Sequence, residues 1–267
     1  MDNRPIGIFD SGIGGLTVLK EIAEQLPYED IIYFGDTARV PYGTRSKETI
    51  IKYSFQCINF LISKNIKLVV IACNTATASA LEEVSKHFDI PIIGVVMPGV
   101  VSAVDTTQNG KIGIIGTTST VNSGAYQEAI RRINEKFEVI GVACPLFVPI
   151  VEDGWQDTEV AKLTAEKYLL ELKEHEIDTL VLGCTHYPIL KYTISKVMSD
   201  VKLINPAFET AKQVKGLLEN EDLLTEKRER SKKQFYVSDD PEKFRRIGGN
   251  ILNKNIAHVE KIDIEDF

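Results

Sequence analysis

The sequence predicts an α/β protein of two pseudo-symmetric domains with mainly parallel sheets, and three observations lead to this prediction. First, strand-like apolar runs alternate with helical patterns almost throughout the 267 residues, which is typical of βαβ units. Second, two apolar runs of strand length, residues 68–72 and 180–183, each end at a cysteine, Cys73 and Cys184. Third, the elements around these cysteines follow the same order in both halves. Open α/β sheets bind ligands at the carboxyl ends of their strands, so we expect the active site in the cleft between the two domains.

The two halves correspond element by element. Residues 6–11 resemble residues 112–117, and the next strands are expected at 31–36 and 139–144, then, after the cysteines, at 91–96 and 201–204. Helices are expected over residues 15–26, 47–64, 76–87, 119–136, 158–175, 188–199 and 207–219. Strand pattern alone is shared by all α/β units. The cysteine at the same position in both halves is what favours a pseudo-symmetric pair.

The chain is expected to cross between the domains twice. A hinge is predicted at residues 96–99, Val-Met-Pro-Gly, and the return crossing near Asn205 and Pro206. The first domain then comprises residues 1–97 plus 207–267, and the second comprises residues 98–206. In the tail we expect a solvated helix end and loop over 219–233, followed by elements that complete the first sheet: a strand at 234–238, a helix at 241–248 and a strand at 258–262.

Composition and charge argue against several classes of protein. There is no run of about 18 apolar residues and no basic, cleavable leader pattern, so neither a membrane span nor export is predicted. Four scattered cysteines do not form the pattern of a disulfide framework, and we expect free thiols and a cytoplasmic location. The net charge of −7 argues against a nucleic-acid partner. A small anionic ligand stays compatible with this charge, because local dipoles bind anions even on acidic proteins.

The segment of residues 10–15, Asp-Ser-Gly-Ile-Gly-Gly, follows the first strand and opens a helix. It is similar to a dinucleotide-binding loop, and Asp36 stands at a suitable spacing for a ribose contact. Thr17, however, occupies the place of the third glycine, and Asp10 would repel a pyrophosphate. Backbone N–H groups at a helix N-terminus suit a carboxylate ligand better.

Cys73 and Cys184 have a structural and a functional interpretation. Free cysteine is among the most buried residue types, so both could be core residues. Each, however, stands at a strand end just before a predicted helix, where the helix dipole stabilises a thiolate. The remaining two, Cys57 and Cys144, are interpreted as structural. A zinc site built from Cys73, Cys184, His186 and Asp10 lacks the local spacing of most zinc sites, so no metal is predicted.

Asp10, His186 and Glu152 are the candidates for handling protons beside the thiols. His186 stands two residues after Cys184, and Asp10 ends the first strand. Taken alone, Asp10 is compatible with a helix N-cap, and Glu152 with an exposed loop acid.

Several motifs, in the correct order, resemble the glutamate racemase family. They are residues 7–12 with 14–16, residues 41–43, residues 72–76, residues 116–117 and residues 182–188, and the likeness extends from the first strand to at least Pro206. Aspartate racemases differ near the second cysteine, where an acid typically stands in place of His186. The resemblance therefore favours glutamate.

This resemblance implies a cofactor-independent racemase that interconverts L-glutamate and D-glutamate and supplies D-glutamate for peptidoglycan synthesis, and hence for cell-wall biogenesis and cell shape. It assigns Cys73 and Cys184 as the two acid/base catalysts, with Asp10, His186 and Glu152 as assisting groups. We also expect a homodimer that binds neither nucleic acid nor a membrane. Substrate binding is assigned to Asp10, Ser11, Pro41, Tyr42, Gly43, Asn74, Thr75, Thr117, Thr185 and His186.

The chemistry of racemisation agrees with this assignment. A proton must leave one face of Cα and another must reach the opposite face, and two thiols about 3–3.5 Å from the carbon can do both. No lysine stands in a motif suggestive of pyridoxal phosphate, so hydrogen-bond donors would have to stabilise the carbanion. Two other functions stay open: a two-lobed amino-acid-binding protein with incidental cysteines, and a thiol amidase that uses Cys184 with His186 but leaves Cys73 unexplained.

Overall fold

The computed structural model describes every residue from Met1 to Phe267 as two compact units. One unit contains Met1–Val95 and Ala207–Phe267, and the other contains Val96–Pro206. All strand pairs in both units are parallel, which confirms the predicted fold class. Among the helices, none combines the length and the apolar character that a bilayer crossing requires.

The elements follow one another in regular alternation. The first 95 residues contain β1 (Ile6–Asp10), α1 (Leu16–Gln25), β2 (Ile31–Gly35), a 3-10 helix (Tyr42–Thr44), α2 (Lys47–Ser63), β3 (Leu68–Ile71), α3 (Asn74–His87) and β4 (Ile92–Gly94). The second unit contains α4 (Val96–Thr106), β5 (Lys111–Gly116), α5 (Thr118–Asn122), α6 (Ala125–Ile133), β6 (Glu138–Ala143), α7 (Phe147–Glu152), α8 (Glu159–Glu174), β7 (Thr179–Gly183), a 3-10 helix (Tyr187–Leu190), α9 (Lys191–Val197) and β8 (Lys202–Ile204). The chain ends with α10 (Pro206–Asn220), β9 (Lys233–Val237), α11 (Pro241–Leu252), β10 (Glu260–Lys261) and a 3-10 helix (Ile264–Asp266).

The two sheets share one strand order. The six-stranded sheet runs β10-β9-β2-β1-β3-β4, and the four-stranded sheet runs β6-β5-β7-β8. The segments β2-β1-β3-β4 and β6-β5-β7-β8 thus place the corresponding strands of the two halves in the same order, which confirms the pseudo-symmetry. The tail strands β9 and β10 extend the first sheet, as predicted. In each unit, the strand that leads to the cysteine lies beside the first strand of that unit.

Burial on both faces explains why the apolar runs before the cysteines are uninterrupted. In the first unit, Val70 belongs to one hydrophobic core, and its neighbour Ile71 belongs to the core on the other face. In the second unit, Val181 and Leu182 divide between two cores in the same way. A parallel strand covered by helices on both faces needs apolar residues at every position.

Some predicted elements differ from the structure. Residues 96–99, where the hinge was predicted, form the first turn of α4, which directly follows the boundary between the units after Val95. Pro98 fits there, since N–H groups of a first turn have no partner within the helix. The single helix over 119–136 is wrong, because Gly124 takes a left-handed φ of +70° between α5 and α6. The helix expected over 188–199 begins as a 3-10 turn. No helix was predicted where the structure has α7, which contains Pro149.

Candidate active site

The loop after β1 holds the first candidate acid. Asp10 is the last residue of β1 and is completely buried. Its carboxylate accepts a hydrogen bond from the Gly12 N–H at 3.0 Å, which closes a turn. Because α1 begins only at Leu16, with Gly15 at its N-cap, the helix-cap interpretation of Asp10 is wrong. The carboxylate lies at the carboxyl end of β1, beside the strand that leads to Cys73.

A buried tyrosine that carries no sequence motif fixes this loop. The Tyr33 hydroxyl donates to the Gly12 carbonyl at 2.9 Å, and it lies 2.8 Å from the position that a Cβ on Gly15 would take. A Cβ at Gly15 would lie 2.5 Å from Asp10 Cβ, so only glycine allows this approach. Burial raises the pKa of Tyr33 well above its ordinary value, and nearby Asp10 and Cys73 raise it further, so the hydroxyl stays a donor. Sequence reasoning missed Tyr33, because a tyrosine in an apolar strand gives no signal of its own.

Cys73 caps a long helix. It follows β3 and is the N-cap of the 14-residue α3, where its Sγ accepts from the Ala76 N–H at 3.4 Å. The thiol also lies 3.5 Å from Ser11 Oγ, to which it donates. Free N–H groups at a helix N-terminus favour negative charge on such a cap. Asn74 and Thr75, in the first turn of α3, are buried beside it. The first unit thus brings together the predicted residues that surround Cys73.

The segment that contains Pro41, Tyr42 and Gly43 lies between β2 and α2. Pro41 is exposed, Gly43 is partly buried, and the Tyr42 side chain is only 1% exposed. The Tyr42 hydroxyl donates to Asp36. Burial raises the pKa of Tyr42 well above its ordinary value, and Cys57 and Asp36 add to the effect. Because the Tyr42 hydroxyl is bound to Asp36, we expect a ligand to contact the backbone of Tyr42 rather than its hydroxyl.

Cys184 has an imidazole–carboxylate pair as its neighbour. Its Sγ lies 3.9 Å from Nδ1 of His186, and Nε2 of the same ring lies 3.4 Å from Oε1 of Glu152. The side chains of His186 and Glu152 are only 5% and 16% exposed, so water competes little with these contacts. Glu152 is the last residue of α7, and its interpretation as an exposed loop acid is therefore wrong.

Two threonines lie near Cys184 in the second unit. Gly116 and Gly183 are register partners at the ends of β5 and β7, which brings Thr117 to the same sheet edge as Cys184. Thr117 is the N-cap of α5, and its Oγ1 accepts from the Thr120 N–H at 3.2 Å. Thr185 directly follows the cysteine and is buried. This arrangement repeats the one around Cys73, with a polar segment from the first strand beside the cysteine.

The other two cysteines lie inside the cores as free thiols. Burial raises the pKa of Cys57 well above its ordinary value, an effect that Asp36 increases and Arg39 opposes. Burial also raises the pKa of Cys144, with a smaller contribution from Cys184. Such thiols resist ionisation, as expected of structural residues. No group of three or more His, Cys, Asp or Glu side chains is arranged to hold a metal ion.

Comparison with known proteins places this arrangement among racemases. The Asp/Glu/Hydantoin racemase family matches residues 6–214. The glutamate racemase of Geobacter metallireducens is 51% identical over 263 residues, which cover 98% of this chain and 97% of that protein. The crystal structure of glutamate racemase from Francisella tularensis in complex with D-glutamate has a TM-score of 0.94 and 42% identity, with 100% of both chains covered. Glutamate racemase from Thermus thermophilus, in complex with β-chloro-D-alanine, has a TM-score of 0.91 and 40% identity, again with 100% of both chains covered.

Proposed function

The chain belongs to the Asp/Glu/Hydantoin racemase family, and we propose that it interconverts L-glutamate and D-glutamate without a cofactor. The relatives described above are glutamate racemases, and one of their structures contains D-glutamate. The observation that carries the proposal is the equivalent placement of Cys73 and Cys184, within two residues of the ends of β3 and β7, in two sheets whose corresponding strands have the same order.

In the proposed reaction the two sulfurs divide the proton transfer. One cysteine, as a thiolate, takes the proton from Cα of glutamate, and the other, as a thiol, donates a proton to the opposite face of the carbanion. In the reverse direction the two exchange roles.

The neutral donors around the cysteines suit the carboxylates of the substrate. Ser11, Asn74 and Thr75 supply hydroxyl and amide groups in the first unit, together with the backbone of Tyr42 and Gly43 beside Pro41. Thr117 and Thr185 supply hydroxyls in the second. Donors fixed in a buried site stabilise the charge that develops on the substrate carboxylate when Cα loses its proton. Because these donors are neutral, they are compatible with a net charge of −7.

The assisting groups act on different sulfurs. Asp10 lies at the strand end beside Cys73, and we assign it to that thiol. We assign His186 to Cys184. The Glu152 carboxylate, 3.4 Å from Nε2, favours the ring proton on that nitrogen, which leaves the Nδ1 lone pair on the side of the sulfur, where it can accept the thiol proton. Glu152 then acts as the residue that selects the tautomer of His186.

The wider role follows from the product. D-glutamate is a component of peptidoglycan, so we infer that the protein supplies it for cell-wall biogenesis and the maintenance of cell shape. In this proposal the enzyme is a cytoplasmic homodimer whose partner is its small-molecule substrate. These parts depend on the family to which the chain belongs.

Optical rotation tests the proposal directly. The purified protein, dialysed against a chelator and supplied with no cofactor, is incubated separately with L-glutamate and D-glutamate. Both signals should decay to zero, because the equilibrium mixture is racemic, while L-aspartate should change far more slowly. An unchanged rotation with both enantiomers would refute the function. Ammonia released from glutamine would point to a thiol amidase, and tight glutamate binding without turnover would point to a binding protein.

A further inference from the structure

Asp36 is a buried carboxylate that the proposed mechanism does not use. It follows β2 and is completely buried. Its Oδ2 accepts from Nε of Arg39 at 2.7 Å and from the Tyr42 hydroxyl. Its Oδ1 accepts from Oγ of Ser238 at 2.8 Å. A buried charge is costly unless it is paired and hydrogen-bonded, and here three donors satisfy it.

Arg39 fixes the chain just before the segment of residues 41–43. Its guanidinium lies 4.0 Å from the centre of the Tyr53 ring and bonds Gln56 and Glu265, the latter at 3.2 Å. Burial lowers the pKa of Arg39, because it disfavours the charged form. The negative charge of Asp36 is the largest of the effects that raise the pKa, and together these effects place it above its ordinary value. The side chain therefore stays charged and holds its neighbours in place.

Ser238 connects this cluster to the C-terminal part of the chain. Its hydroxyl donates to Asp36 and accepts from the Ala38 N–H at 2.9 Å, and its own N–H donates to the Gly35 carbonyl at 3.1 Å. Ser238 follows β9, and Glu265 lies in the last 3-10 helix. Both lie beyond residue 214, where the match to the racemase family ends.

We propose that the cluster of Asp36, Arg39 and Ser238 positions the backbone of residues 41–43 for the substrate, so that the C-terminal segment acts on substrate binding. The inference rests on the proposed function, because that function assigns residues 41–43 to the substrate. Tyr42 is the link, since its hydroxyl is bound to Asp36 while its backbone belongs to the binding segment. Cys73, Cys184 and the groups assigned to assist them lie outside the cluster. Loosening it therefore weakens binding and leaves the proton transfers in place.

The variant Ser238→Ala tests this positioning role. It removes the hydrogen bonds to Asp36 and from Ala38 with little change in volume. Loss of about 1 kcal/mol of net hydrogen bonding corresponds to about a fivefold rise in KM for L-glutamate, with kcat within about twofold of wild type. The dissociation constant of D-glutamate, measured calorimetrically, should rise by the same factor. Ser238→Thr restores the hydroxyl and should restore KM.

Lys261→Ala is the matched control in the same segment. Lys261 forms an exposed ion pair with Asp239, which is next to Ser238. Because an exposed ion pair contributes little, the variant should leave KM and kcat unchanged. If Ser238→Ala fails to fold, Tyr42→Phe replaces it, because that variant removes a donor to Asp36 and keeps the ring. A lowered Tm with unchanged KM and dissociation constant would overturn the inference and leave the cluster merely structural. Absence of turnover in the wild type would instead contradict the proposed function.

Discussion

Cys73 and Cys184 occupy equivalent strand ends but have different surroundings. Cys73 caps the 14-residue α3, and its thiol lies 3.5 Å from the Ser11 hydroxyl. Cys184 is followed by a 3-10 turn, and its neighbour is the His186 ring at 3.9 Å. One sulfur has backbone N–H groups and a hydroxyl beside it, whereas the other has an imidazole–carboxylate pair. Strand order thus places the sulfurs, and the residues after each strand decide how a charge on sulfur is stabilised.

The helices that follow the two cysteines also differ. Both cysteines were expected just before a helix, and Cys73 is itself the N-cap of α3, whereas Cys184 is followed by a 3-10 helix from Tyr187, and α9 begins only at Lys191. The dipole of α9, which has seven residues, begins too far along the chain to act on Cys184. In the second unit, His186 and Glu152 stand where the first unit uses a helix end.

The largest expected effect concerns the sulfurs themselves. If each serves one face of Cα, Cys73→Ala and Cys184→Ala should each lower kcat by about 1,000-fold or more, with an intact fold. Cys144→Ala is the control, because this buried thiol should affect Tm and leave turnover per folded molecule unchanged. Polarimetry and thermal unfolding measure both. Wild-type turnover in either catalytic variant would contradict the two-thiol proposal.

A smaller effect, of about 100-fold, is expected from the assisting groups. Asp10→Asn should act on the Cys73 side and His186→Asn on the Cys184 side, so each should change kcat unequally in the two directions. Because the enantiomers have equal free energy, kcat/KM must fall equally both ways, and only kcat and KM separately can diverge. Initial rates from L-glutamate and from D-glutamate give the four constants. Identical changes of kcat in both directions, in both variants, would count against the division of roles.

Much of this architecture could be predicted from local sequence, and the exceptions have physical causes. The strands before Cys73 and Cys184 could be predicted, because strands buried on both faces are apolar at every position. Pro98 and Pro149 obscured α4 and α7, since proline within a first helical turn looks like a helix breaker in the sequence. The contact of Asp36 with Ser238 joins residues that are 202 positions apart, and no local pattern reports such a pair.

The residues directly before β3 and β7, at the ends opposite the cysteines, differ in what they contribute to stability. Lys67, directly before β3, forms a completely buried ion pair with Glu29 at 2.6 Å. Asp178, directly before β7, is partly exposed and accepts from the N–H groups of Gln108 and Asn109, each at 2.7 Å. Lys67→Met leaves a buried carboxylate unpaired and should lower the free energy of unfolding by about 3–5 kcal/mol. Asp178→Asn should cost about 1 kcal/mol. Urea titrations that give equal losses would contradict this contrast.

The smallest expected effect is the pH dependence that Asp178 contributes. Burial raises the pKa of this carboxyl, but hydrogen bonds from Thr107, Asn109 and Gln108 outweigh burial and hold it below its ordinary value of 3.8. A folded-state pKa below the unfolded one stabilises the protein above the unfolded value, and this stabilisation is lost as the pH falls through the folded value. The destabilisation caused by Asp178→Asn should therefore shrink below about pH 4. A difference that stays constant down to pH 2 would contradict this.

Hydrogen isotopes test most directly whether two different groups exchange the proton at Cα. In heavy water, with L-glutamate as the starting enantiomer, the acceptor cysteine takes a protium and the donor cysteine supplies a deuteron from solvent. At low conversion, mass spectrometry of the separated enantiomers should find deuterium at Cα of the D-glutamate and little in the remaining L-glutamate. A single base that served both faces would return the abstracted protium in a substantial fraction of turnovers. Abundant protium at Cα of the new D-glutamate would therefore contradict the two-thiol mechanism.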